Sequence, residues 1–181
     1  YIDGYIFIDV IQNGNTYNFL FDTGAEATIL DKSILNQFQY QGFSESKING
    51  PVVKNQDVQT IILSDIHLSG VMYSEIGAIA IDMNFAKEKF CKEVHGIIGS
   101  NLMKKSKWQI DYKNQIIKLS NDLSKFQLKD PKYTIETKLS SKGYGTETIN
   151  ITIDDMTMPV DLDTVCFLYK TDAADDMHCL V

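Results

Sequence analysis

The 181 residues suffice for one domain, or for one domain and part of a second. With 44% hydrophobic and 10% aromatic residues the chain can bury a core, which excludes a disordered class. A formal charge of −7 argues against a phosphate-binding surface, so no nucleic-acid partner is expected.

No apolar run approaches the ~20 residues of a bilayer span, so no membrane span is expected. Lys104, Lys105 and Lys107 cluster as a solvated helix end would. The chain opens at Tyr1, without Met or a visible signal peptide, as expected of a trimmed chain. An exported protein, periplasmic or extracellular, fits that opening. Cys91, Cys166 and Cys179 make no disulfide framework; Cys166 and Cys179 pair if the protein is exported, or remain thiols.

Residues 5–11 alternate in polarity and lead into Gln12-Asn13-Gly14-Asn15, where Asn-Gly signals a tight hairpin. The return strand, residues 16–21, ends in Phe19-Leu20-Phe21 and runs straight into Asp22-Thr23-Gly24-Ala25. A carboxylate at the end of a buried strand is costly unless it is hydrogen-bonded or used. Gly24 lets the backbone turn and bring its N–H close to that carboxylate. The Thr23 hydroxyl is able to bond backbone or a partner copy and fix the loop. Such a loop holds an acid in a low-dielectric setting, where its proton affinity is tuned for acid–base work.

Residues 27–30 read as the next strand, and Asp31-Lys32-Ser33 as a helix start, with Ile34, Leu35 and Phe38 on one face through Tyr40. Residues 41–56 are a loop or hairpin tip, rich in Gly, Ser, Asn and Lys. Strands follow at 58–63, 71–73 and 76–81, with a turn at Leu68-Ser69-Gly70 and a short helix or loop at 84–91. Residues 94–99 form a strand whose Gly99 passes tightly beside the Asp22 loop, so that Ile97 and Ile98 pack beneath it. Antiparallel strands with few short helices predict a small barrel-like lobe. Cys91 and His95 have ligand-like spacing, and His178-Cys179 lies near the end. Structural zinc wants four ligands, however, and no metal is expected. His67 reads as a loop or edge histidine, and the sequon Asn150-Ile151-Thr152 falls in a predicted strand.

The run Phe19-Leu20-Phe21-Asp22-Thr23-Gly24-Ala25 resembles the signature of retropepsin-like aspartic proteases, within the pepsin/retropepsin superfamily. His95-Gly96-Ile97-Ile98-Gly99-Ser100-Asn101-Leu102 resembles the family's second signature, and residues 108–119 resemble the hairpin that closes its lobe. These three elements stand in the family's order over about residues 4 to 120. The resemblance implies an all-β fold: a closed, mostly antiparallel barrel-like lobe with short helices, spanning residues 1–120. It also implies an aspartic endopeptidase acting on polypeptide without a cofactor, with Asp22, Thr23 and Gly24 in the catalytic loop. A flap is implied at about residues 44–60, so that Asn49, Gly50 and Pro51 at its tip, with Ala25, would contact substrate.

Residues 121–143 are polar and linker-like, and then the opening pattern returns over residues 144–181. Ile149, Ile151 and Ile153 alternate, Asp154-Asp155 turns, and Leu162-Asp163-Thr164 falls where Phe21-Asp22-Thr23 stands in the first copy. An aspartic protease needs two carboxylates sharing one proton. The second comes from an identical chain in a homodimer or from a second lobe, which here would be incomplete or degenerate. Asp163, with Thr164, is the candidate partner. Val165 stands where Gly24 is matched. A glycine's positive φ and a missing Cβ are expected there, so a lobe that binds peptide without cutting it is the alternative. Asp161-Leu162-Asp163-Thr164 also resembles the haloacid-dehalogenase phosphatase motif, but that fold requires a large βα body after it.

Overall fold

Asn13 and Gly14 both adopt left-handed backbone, with φ of 51° and 77°, as the tightest hairpin turn demands. The turn joins β1 (Phe7–Gln12) to β2 (Asn15–Phe21) and sets Phe7 opposite Leu20. The computed structural model describes residues 4–48, 56–126, 146 and 148–165.

After β2 come β3 (Thr28–Asp31) and a 3-10 turn (Lys32–Gln37), whose start is capped by the Asp31 carboxylate accepting from the Ser33 N–H. Next are β4 (Tyr40–Ile48), β5 (Gln56–Leu68), β6 (Val71–Ile81), α1 (Asn84–Phe90), β7 (Gly96–Ile98) and α2 (Ser100–Met103). Two separate hairpins complete the described chain: β8 (Lys107–Asp111) with β9 (Ile116–Ser120), and β10 (Thr148–Ile153) with β11 (Met156–Asp161).

The main sheet runs β1-β2-β7-β3-β6-β5-β4, and a pairing of Val10 with Leu68 joins β1 back to β5. The barrel is thus closed on itself, and β4 extends outward from β5. The lobe is all-β with short helices, as expected. Its short strand β7 is the keystone. It pairs parallel with β2 (Leu20 opposite Ile97) and antiparallel with β3 (Ile29 opposite Ile97), so both of its edges are used.

Two apolar clusters flank β2, which explains the unbroken apolar run Phe19-Leu20-Phe21 at its end. One fills the barrel with Val10, Phe19, Phe21, Leu30, Ile61, Leu63, Ile76 and Ile98, plugged by Leu102 and Met103 of α2. The other lies on its outer side and contains Tyr5, Leu20, Ala86 of α1, Val94, Ile97 and Val165. Gly96 is required by packing, since a Cβ there would run into the Phe19 ring.

Several sequence expectations change. The helix after Asp31 is a 3-10 turn ending at Gln37, and Tyr40 already belongs to β4. The strands expected at 71–73 and 76–81 are one strand, because Glu75 takes a left-handed φ of 54° within β6 without ending the pairing. The barrel is closed by β1 on β5, and the hairpin at 108–119 forms its own two-stranded sheet. Trp108 and Ile110 pack from that hairpin against the barrel core. Cys91 is disulfide-bonded, which overturns a Cys166–Cys179 pair that leaves Cys91 as a thiol. Cys166 and Cys179 lie outside the described residues, as does the tip at Asn49, Gly50 and Pro51. Among the described residues no helix is long and apolar enough to cross a membrane.

Candidate active site

Asp22 emerges where β2 and β7 end together: its N–H donates to the Ile98 carbonyl at 3.1 Å. Behind it the chain is pinned by α2. The Ser100 N–H donates to the Ala25 carbonyl at 2.8 Å, and a Cβ on Gly99 would lie 2.5 Å from the Ala27 carbonyl oxygen. Asn101 ties the next segment, its Oδ1 accepting from both the N–H and the hydroxyl of Thr28 at 2.9 Å, while its Nδ2 donates to the Gly77 carbonyl. The loop is therefore held on both sides of its carboxylate.

The second Asp-Thr meets the first. The Thr23 N–H donates to Thr164 Oγ1 at 3.1 Å, and the Thr164 N–H donates to Thr23 Oγ1 at 2.9 Å. The Thr164 hydroxyl gives its one proton to the Phe21 carbonyl at 3.0 Å, so toward Thr23 its oxygen acts as acceptor. This reciprocal clasp brings the Asp163 carboxylate onto Gly24, where a Cβ would stand 2.6 Å from Asp163 Cγ. Gly24 is thus needed for close approach, and not for a left-handed turn.

The two loops serve their carboxylates alike. The Gly24 N–H donates to Asp22 Oδ1 at 2.8 Å, and the Val165 N–H donates to Asp163 Oδ1 at 2.7 Å. Val165 is not among the residues with positive φ, and its side chain is only 4% exposed. The expected conflict at Val165 is absent, because the backbone turn asks for no glycine. Burial pushes the Asp22 carboxyl up to about 6, aided by the negative charge of Asp163 and by a hydrogen bond that the protonated Asp22 gives to it; the N–H groups of Gly24 and Ala25 pull the other way.

Asp22, Thr23, Gly24 and Asp163 are brought together, with Ala25 partly buried on the adjacent turn. Asn49, Gly50 and Pro51 lie outside the described residues. Thr28 and Asn101 had no role in the sequence reading, and the structure shows Thr28 fully buried and bonded to Asn101. Below the clasp a cavity of about 480 Å³ is lined by Phe21, Thr23, Met103, Trp108 and Leu162, among others. Among the described residues no group of three or more His, Cys, Asp or Glu side chains gathers as metal ligands would.

The described residues form a closed, all-β lobe with two Asp-Thr loops in contact. No family model matches the chain, and no curated protein does. Among solved structures it is similar to a retropepsin-like aspartic protease from Rickettsia conorii, at 18% identity and a TM-score of 0.43. That likeness covers 61% of this chain and 77% of the other.

Proposed function

We propose that the protein is an aspartic endopeptidase whose dyad is Asp22 and Asp163 of the same chain. The observation that carries this reading is the reciprocal Thr23–Thr164 clasp, which lays the Asp163 carboxylate against Gly24 beside Asp22. Two such carboxylates cannot both ionise comfortably and so share a proton. Below about pH 6, Asp22 holds it, since burial raises its proton affinity. The ionised partner takes a proton from a water between them, and that water attacks the peptide carbonyl carbon. Asp22 gives its proton to the carbonyl oxygen. Collapse of the tetrahedral species then breaks the C–N bond as the partner passes its proton to the nitrogen and Asp22 takes one back from a hydroxyl of that species, with no covalent enzyme intermediate.

Several features support the rest of the reading. The hairpin of β4 and β5 reaches past the barrel, Glu45 opposite Gln59 and Lys47 opposite Asp57, and is suited to act as a flap that excludes water. Residues 148–165 repeat the opening hairpin and its Asp-Thr, which is the start of a second lobe. An identical chain's Asp22 would have to occupy the space that Asp163 already fills, which favours an intramolecular dyad over a homodimer. The disulfide at Cys91 fits an oxidising compartment, consistent with export. The non-cutting alternative rested on Val165, whose backbone and burial withdraw that support.

The test is incubation with unfolded casein from acidic to neutral pH. Cleavage that is lost in both Asp22→Asn and Asp163→Asn is expected. Retained peptide binding with no cleavage at any pH overturns the protease reading in favour of a peptide-binding module.

A further inference from the structure

We propose that Val165 is a positioning residue that seats the second aspartate loop on the barrel, a task glycine could not perform at that place. The inference rests on the Asp22–Asp163 reading and deepens it.

The two loops share a backbone and differ in what they need from their third residue. In the first, the absent side chain of Gly24 makes room for the Asp163 carboxylate. In the second, the Val165 N–H donates to the Asp163 carboxylate as the Gly24 N–H does to Asp22, while the isopropyl group joins Tyr5, Leu20, Val94 and Ile97 in the outer cluster. The strands behind the loops differ as well. β2 is paired with both β1 and β7, whereas among the described residues β10 and β11 pair only with each other. Within residues 148–165 Val165 is the one buried residue, and its hairpin carries Ile153, Met156 and Met158 exposed. The clasp through Thr164 supplies direction, because hydrogen bonds are angular. Val165 supplies the apolar anchor that keeps a lone two-stranded hairpin, marginal by itself, from lifting away.

Removal of that anchor lets Asp163 drift from Gly24, with two consequences. The dyad loses its geometry, for which misplacement by about 1 Å costs on the order of 10²-fold in rate. Asp22 also loses the neighbouring charge that helps raise its proton affinity.

The experiment compares the full chain with Val165→Gly and Val165→Ile. For Val165→Gly we expect kcat on casein-derived peptide to fall about 10- to 100-fold with KM little changed, and the alkaline limb of the pH profile, where Asp22 loses its proton, to move to lower pH. Val165→Ile, which keeps the burial, recovers most of the rate. An unchanged thermal transition of the barrel in Val165→Gly separates positioning from unfolding. A glycine variant as active as the natural chain, with the same pH profile, overturns the proposal. Asp22→Asn and Asp163→Asn run beside them: if both abolish cleavage while Val165→Gly does not, the dyad stands and only the anchor falls. If the natural chain cuts nothing, the dyad reading fails. The Asp22 carboxyl titration, followed by carbon NMR, still judges the anchor: a position near about 6 that Val165→Gly leaves unmoved overturns it.

Discussion

The hairpin of β1 and β2 and that of β10 and β11 are built to one pattern, a tight turn between two strands that ends on Asp-Thr. In the first, Val10, Phe19 and Phe21 are sealed inside the barrel. At the matching places of the second, Ile151 and Val160 are half-buried and Leu162 is 40% exposed. The same alternation therefore produces a rigid support in one case and an attached ribbon in the other. An Asp-Thr motif sets which groups face a carboxylate; the strands packed behind it set how firmly they are held.

The largest expected effect tests whether both loops are needed. Asp22→Asn and Asp163→Asn should each lower peptide hydrolysis by about 10³-fold or more, measured as kcat/KM. A residual activity in only one of them would show that the loops are unequal in chemistry as well as in support. Next comes the packing contrast, read by urea unfolding. Phe19→Ala should cost about 3–5 kcal/mol of barrel stability, and Val160→Ala less than about 0.5 kcal/mol. Equal losses would mean that the second hairpin is part of the barrel's cooperative unit.

Thr164→Val probes the junction between the two. It removes the acceptor of the Thr23 N–H and the donor to the Phe21 carbonyl, leaving partly buried groups unpaired at about 1–3 kcal/mol. Amide exchange in β10 and β11 should accelerate while that of β2 does not. A smaller effect follows from the raised proton affinity of Asp22. Its carboxyl binds a proton more tightly folded, at about 6 against an ordinary 3.8. The associated stability is present below the ordinary value and is lost as pH rises through about 6. Asp22→Asn should then be more stable than the natural chain at pH 8 by about 1–2 kcal/mol after allowance for solvent screening, with the gap closing at pH 4. Ala25→Ser is the finest test. A hydroxyl there would donate to the Asp22 carboxylate, favour its charged form and shift the pH optimum downward by less than about one unit; an upward shift would refute it.

Local chemistry explains what the amino-acid order disclosed. Asn13-Gly14, the apolar run into Asp22, the glycines around Ile97-Ile98 and the return of Asp-Thr at 163 each carry their reason within a few residues. The parts that stayed hidden depend on neighbours distant in the chain. Closure of the barrel needs Val10 beside Leu68, which no period announces. The clasp of Asn101 on Thr28 links positions that merely look polar and β-branched. Glu75 looks like a break between two strands, and only the ladder on either side keeps β6 whole. Val165 was misread for a similar reason: its fitness depends on Leu20 and Ile97, not on the motif around it.

The bond from Thr23 to Thr164 spans 141 positions of sequence. Closing so long a loop is entropically expensive and cannot occur until nearly all of this stretch has left the ribosome. A nascent chain, with its first aspartate already folded into the barrel, has no second acid to work with. On the proposed reading, latency is thereby written into chain order: the dyad stays incomplete until the last described residues arrive.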